Sequence, residues 1–157
     1  MTAEALKWVT GLLEDNKVTY LVCGGFAAFA YGAKRTINDI DIFVPEANFD
    51  QIVSLGKEYI SKPARHYIEE SEGWSVKYVQ FKYGETKIEV GSSKDVAIFD
   101  ASIKEWVALK VNFSKLEHRS VFGIDVPLMA KEDLIHYKKA LARPVDLHDI
   151  EAIRGGA

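Results

Sequence analysis

A chain of 157 residues with 48% hydrophobic and 11% aromatic side chains carries enough apolar surface for one compact core, so a single domain over residues 1–157 is expected. Its 20 basic against 23 acidic residues leave a formal charge of −3, which argues against a protein that mainly coats nucleic acid, because such domains carry a basic excess. The single cysteine, Cys23, excludes an internal disulfide and a Cys-rich zinc site. With no charged-then-apolar leader and no run of eighteen apolar residues, the expectation is a soluble, cytoplasmic protein without a membrane partner.

Residues 3–15 place Leu6, Val9, Leu12 and Leu13 at helical spacing and end at Asp15-Asn16, predicting an amphipathic first helix. Residues 19–23 are β-branched and apolar, predicting a short buried strand that runs into Gly24-Gly25 and then a helix over 26–31. From 39 to 44 the pattern alternates, with Ile40, Ile42 and Val44 on one face and Asp39 and Asp41 on the other, until Pro45. Asn48 is expected to cap a third helix reaching about residue 60, after which Ser61-Lys62-Pro63 breaks the pattern. Two hairpins follow, 75–83 with 86–90 across Gly84-Glu85, and 118–122 with 124–128 across Gly123. Helices over 131–142 and 146–154, separated by Arg143-Pro144, close the chain.

The chemistry concentrates in residues 22–44. Two aspartates two apart on one strand sit about 6 to 7 Å apart along the backbone, close enough for their carboxylates to converge on shared metal ions. Magnesium suits all-oxygen ligands that leave room for water and substrate phosphates. A strand followed by Gly24-Gly25 and a helix turns unobstructed backbone N–H groups toward an anion. Alternation alone would also put Asp39 and Asp41 on a solvated strand face, and a glycine pair alone would be an ordinary turn. Neither a Walker A loop nor a Gly-x-Gly-x-x-Gly fingerprint is present. His66, His118, His136 and His148 lack metal-binding spacing, no Gly-x-Ser-x-Gly elbow occurs, and Cys23 lies where a core residue belongs. Tyr78, Phe81 and Tyr83 read as hairpin packing.

An apolar residue before Gly24-Gly25, thirteen intervening residues (26 to 38) and then Asp39-Ile40-Asp41-Ile42 resemble the signature of the nucleotidyltransferase superfamily related to DNA polymerase β. Arg35-Thr36 ahead of the aspartates resembles the Arg-x-Thr-x-Asp-x-Asp pattern of its toxin-type and antibiotic-modifying branches. The resemblance implies an α/β (α+β) fold, with a mixed, strongly twisted sheet, helices packed mainly on one side and C-terminal helices. It also implies that Gly24, Gly25, Arg35 and Thr36 hold a nucleoside triphosphate, with pairing to a nearby aspartate left open for Arg35, and that Asp39 and Asp41 bind Mg2+ or Mn2+. The third acid it calls for is matched by Glu89 in Lys87-Ile88-Glu89-Val90, as a ligand or as a general base; the superfamily more often has aspartate there. Lys131 through Lys138, Arg143, Asp146 and Asp149 are similar to the helical end of related transferases. Lys138 is matched to a phosphate-contacting lysine, with Lys139 as its competitor.

The expected activity is NMP transfer from an NTP to an acceptor hydroxyl with release of pyrophosphate. A module of the same fold that binds nucleotide or acts like an antitoxin, with little transfer, is the alternative. A small molecule, tRNA or a protein remains open as acceptor, as does a homodimer or a toxin–antitoxin partner.

Overall fold

The computed structural model describes residues 2–155. Its elements are α1 (Thr2–Asp15), β1 (Leu21–Cys23), α2 (Gly24–Ala30), β2 (Asp39–Val44), α3 (Glu46–Leu55), β3 (Ile60–Glu69), β4 (Trp74–Tyr83), β5 (Thr86–Ser92), β6 (Ala97–Asp100), β7 (Glu105–Ala108), β8 (Leu116–Val121), β9 (Ile124–Met129), α4 (Lys131–Leu141) and α5 (Pro144–Gly155). The nine strands form one sheet in the order β7-β6-β4-β5-β2-β1-β9-β8, with β3 pairing β4 outside that path. The sheet is mixed: β2 runs parallel to β5 and β1 parallel to β9, while β1–β2, β4–β5 and β8–β9 are antiparallel. The fold is therefore the mixed α+β arrangement that the sequence resemblance implies.

The period-2 alternation of β2 sorts the two faces. Ile40, Ile42 and Val44 are buried, as are Ile88 and Val90 of β5 and Val79 and Phe81 of β4. Helices α1 and α3 cover this side. Trp8 of α1 packs against Phe81 and Tyr83, and Phe49 of α3 lies under Lys77 of the same β4 face. Leu6, Val9, Leu13, Phe49 and Ile52 are fully enclosed there, each such side chain contributing roughly 1.5–3 kcal/mol. The opposite face carries Asp39 and Asp41. Helix α4 adjoins it, with Tyr137 meeting Trp74 edge-on and the Ala140 carbonyl accepting from the Ala101 amide.

Three local expectations are corrected. Helix α3 begins at Glu46 with Pro45 as its cap, so Asn48 lies in the first turn and donates its backbone N–H to the Pro45 carbonyl. Gly56 then ends the helix at Leu55, well short of residue 60. Ser61-Lys62-Pro63 does not end a segment but lies within β3, which pairs with β4 alone; the ladder slips between Lys62 and Arg65. A proline is tolerated there because no ladder donor is required at an irregular edge position. Strands β6 and β7 are further additions, four residues each and partly exposed, with too little alternation to announce themselves.

Candidate active site

Register builds the site. Cys23 pairs with Asp41, Asp41 with Glu89, and Glu89 with Gln80, so four side chains from β1, β2, β5 and β4 form one row across the same face. Asp39 lies one step along β2, opposite Lys87. Asp39, Asp41 and Glu89 all line a cleft of about 240 Å³, whose walls include Trp74, Tyr78 and Tyr137 and whose rim includes Glu69, Glu72 and Arg143. Gln80 Nε2 donates to Glu89 Oε2 at 2.8 Å, and Ser61 Oγ holds the far side of the same amide at 2.9 Å. Glu89 is thereby fixed by one oxygen.

The row brings like charges together. Burial, reinforced by the nearby Glu89 and Asp39 carboxylates, lifts Asp41 to about 7. Burial likewise pushes Glu89 above the ordinary carboxylate range, against the opposing hydrogen bond from Gln80. Like charges brought together without a counter-ion hold protons more tightly, and a cation in their place would release them. Cys23 is enclosed and its thiol is raised well above its usual value by burial, which keeps it neutral and leaves its expected core role in place.

Close approach and a positive φ require glycine at 24, while Gly25 faces the movable end of the Arg35 side chain. A Cβ on Gly24, whose φ is +65°, would stand 2.3 Å from Asp41 Oδ2, and one on Gly25 would stand 2.7 Å from the Arg35 guanidinium carbon. The strand-to-helix turn is as expected, with α2 starting at Gly24 itself. One detail differs: the Gly24 N–H donates to the Tyr137 hydroxyl at 2.7 Å, so it is engaged by α4 rather than turned bare toward the cleft. Nothing in the local sequence ties residue 24 to residue 137.

The two cations matched to phosphate binding meet at Asp149. Lys138 is 2% exposed, with Nζ 3.0 Å from Asp149 Oδ2 and 3.6 Å from Asp146 Oδ1. Both aspartates are fully buried and their charge holds the ammonium inside, away from the cleft lining. Arg35 Nη1 reaches the same Asp149 Oδ2 at 2.6 Å and keeps 28% of its side chain exposed, taking the aspartate-pairing role that its sequence context left open. Lys139 is exposed on the outer side of α4, and Thr36 is exposed in the segment before β2. Among the described residues that line the cleft, the cation is Arg143. A signal for this was present: Leu134, Tyr137, Lys138 and Leu141 share the buried face of α4, and that i, i+3, i+4, i+7 spacing marks Lys138 as an inward residue.

The donor set fits a hard divalent cation. Asp39, Asp41 and Glu89 offer only oxygen, they face one cleft, and Gly24 leaves the Asp41 carboxylate unobstructed. Among the described residues no three His, Cys, Asp or Glu side chains close into a ready-made cage. Magnesium seldom uses one, being held by one or two carboxylates together with water and substrate phosphates.

The fold is shared with a Thermotoga maritima protein assigned as a nucleotidyltransferase (TM-score 0.70, 19% identity, 94% of this chain and 89% of that one). It is shared also with the lincosamide antibiotic adenylyltransferase LnuA in its lincomycin-bound structure (TM-score 0.63, 13% identity, 98% and 97%). A third is ANT(2")-Ia in complex with adenylyl-2"-tobramycin (TM-score 0.62, 14% identity, 98% and 86%). A search of curated proteins gives no sequence match. Residues 2–155 match the family described as nucleotidyl transferase of unknown function (DUF2204), and the chain belongs to that family.

Proposed function

We propose that the protein transfers NMP from a nucleoside triphosphate to a hydroxyl of a small acceptor, releasing pyrophosphate. The observation that carries this reading is the register that sets Asp41 against Glu89 on adjacent parallel strands, with Asp39 one step away and Gly24 against the Asp41 carboxylate. Asp39 and Asp41 would hold a divalent metal, which when bound supplies neutralisation of polyphosphate charge. Glu89 is assigned the base: one oxygen is tied to Gln80, and its raised affinity for a proton suits it to take one from the acceptor. The acceptor oxygen then bonds to the α-phosphorus as the bond from that phosphorus to the bridging oxygen breaks, and pyrophosphate carries away the electron pair. Positioning and charge stabilisation supply most of the rate.

The lining supports a neutral or cationic acceptor. Asp39, Asp41, Glu69, Glu72 and Glu89 face the cleft against Arg143, and a polyanionic acceptor would be repelled by that balance. Similarity in fold to adenylyltransferases of antibiotics supports a small molecule. The test is incubation with each α-labelled NTP, Mg2+ or Mn2+, and fractionated small-molecule extract. The expected result is label in a new small product with stoichiometric pyrophosphate. Metal-dependent NTP binding without any labelled product would contradict transfer.

A further inference from the structure

Arg143 stands out in an acidic cleft because its guanidinium is held from behind. Its Nε donates to Asp146 Oδ2 at 2.6 Å, its Nη2 to Asp146 Oδ1 at 3.0 Å, and its backbone N–H to Asp146 Oδ2 at 3.1 Å. Asp146 is fully buried and is itself approached by Lys138 at 3.6 Å. A carboxylate that grips two donors of the planar fork leaves little rotational freedom. Three N–H donors of the fork remain, and Nη1 is directed at Glu72.

Glu72 is a different kind of partner from Asp146. Its side chain is 57% exposed, and it sits in the β3–β4 turn, where its backbone N–H and that of Gly73 both donate to the Glu69 carbonyl. The turn is held further by the Gly73 carbonyl, which accepts from Phe99. The Glu72 side chain can therefore leave without moving backbone, and an exposed pair of this kind is weak enough to exchange.

We infer that Arg143 is the phosphate-binding cation of the cleft and that Glu72 occupies its outer donor as an internal stand-in for the substrate anion, displaced when the polyphosphate of the NTP binds. The inference rests on the nucleotidyl-transfer reading and adds to it a self-competition built into the site. It also explains why Lys138 is buried: its role is to steady Asp146 and Asp149 behind Arg143 and Arg35, so that the orientation of Arg143 is fixed before substrate arrives.

The probe is a non-hydrolysable NTP analogue with Mg2+, titrated by calorimetry against wild type, Glu72→Gln, Arg143→Gln, the double variant and Glu69→Gln. Glu72→Gln is expected to bind the analogue roughly two- to fivefold more tightly, in line with loss of an exposed ion pair. Arg143→Gln is expected to weaken binding about tenfold or more, a charge-assisted contact being at stake. The gain from Glu72→Gln should vanish in the double variant, and Glu69→Gln should gain less, because a general field effect would act without Arg143. An unchanged or weaker affinity in Glu72→Gln, or an equal gain with Arg143 absent, overturns the inference while leaving the transferase reading intact. No analogue binding to wild type overturns both. Glu72 lies on the surface, so its variant keeps the test open if Arg143→Gln fails to fold.

Discussion

Two groups of aspartates sit within one small molecule and behave oppositely. On the sheet, Asp39 and Asp41 share a cleft with Glu89, and burial together with their mutual repulsion raises Asp41 to about 7. Between the C-terminal helices, Asp146 and Asp149 are more deeply buried, yet Lys138, Arg35 and Arg143 surround them with positive charge. Only Asp149 Oδ1 lacks a hydrogen-bond partner there among the described residues. The first pair gathers like charge beside Glu89, and the second is a frame that carries its own compensating charge. Acid spacing alone does not distinguish a ligand set from a structural one; the location of the compensating charge does.

The contrast breaks most sharply on substitution. Asp41→Asn should lower kcat/KM of the proposed transfer roughly a thousandfold, since several kcal/mol of charge stabilisation depend on that carboxylate. The same change should leave the fold intact and raise the melting temperature of the metal-free protein near pH 8, because it removes a repelled charge. Asp149→Asn should do the reverse. Removing one partner from a buried set of charges costs about 3–5 kcal/mol, visible as a shifted denaturant midpoint. A melting temperature for Asp149→Asn equal to wild type would abolish the distinction between frame and site.

Gly24→Ala addresses the seam between the two groups. Its Cβ would collide with Asp41 Oδ2, and its φ of +65° disfavours any side chain, the backbone alone costing about 1–2 kcal/mol. The expected outcome is lost metal-dependent binding with a moderately lower midpoint, measured by titration and by urea unfolding. Normal metal response in that variant would show that the turn does not shape the site.

The smallest effect should come from pH. Asp41 holds its proton with a pKa of about 7 when folded and 3.8 as a free side chain, so the folded state binds the extra proton between those values. Its contribution to stability is complete below pH 3.8 and is lost as pH rises through 7. The metal-free protein should thus melt lower at about pH 8 than at about pH 5.5 from this group, and Mg2+ should restore more at the higher value. A metal effect larger at the lower pH would contradict the sign.

Much of this was legible before the fold was known. Alternation in residues 39–44 put both aspartates on one face, Gly24-Gly25 marked the turn, and the hairpin around Gly84-Glu85 delivered Glu89 on the side away from Ile88 and Val90. These are local patterns, and local periodicity survives in sequence. What was not legible depends on contacts between distant segments: Tyr137 meeting Gly24, Arg143 meeting Glu72, and Lys138 turned inward. Glu69 and Glu72 escaped notice for another reason. They belong to β3 and its turn, an exposed edge strand around a proline, where no buried face imposes a pattern.

If a metal and a nucleotide together complete the carboxylate row, neither alone should stabilise the protein as both do. Thermal melting of wild type and Asp41→Asn with Mg2+ and a non-hydrolysable NTP analogue, added singly and together, tests it most directly. A cooperative rise is expected for wild type when both are present, and no such rise for Asp41→Asn. Equal stabilisation of the two proteins, or none in wild type, would contradict it.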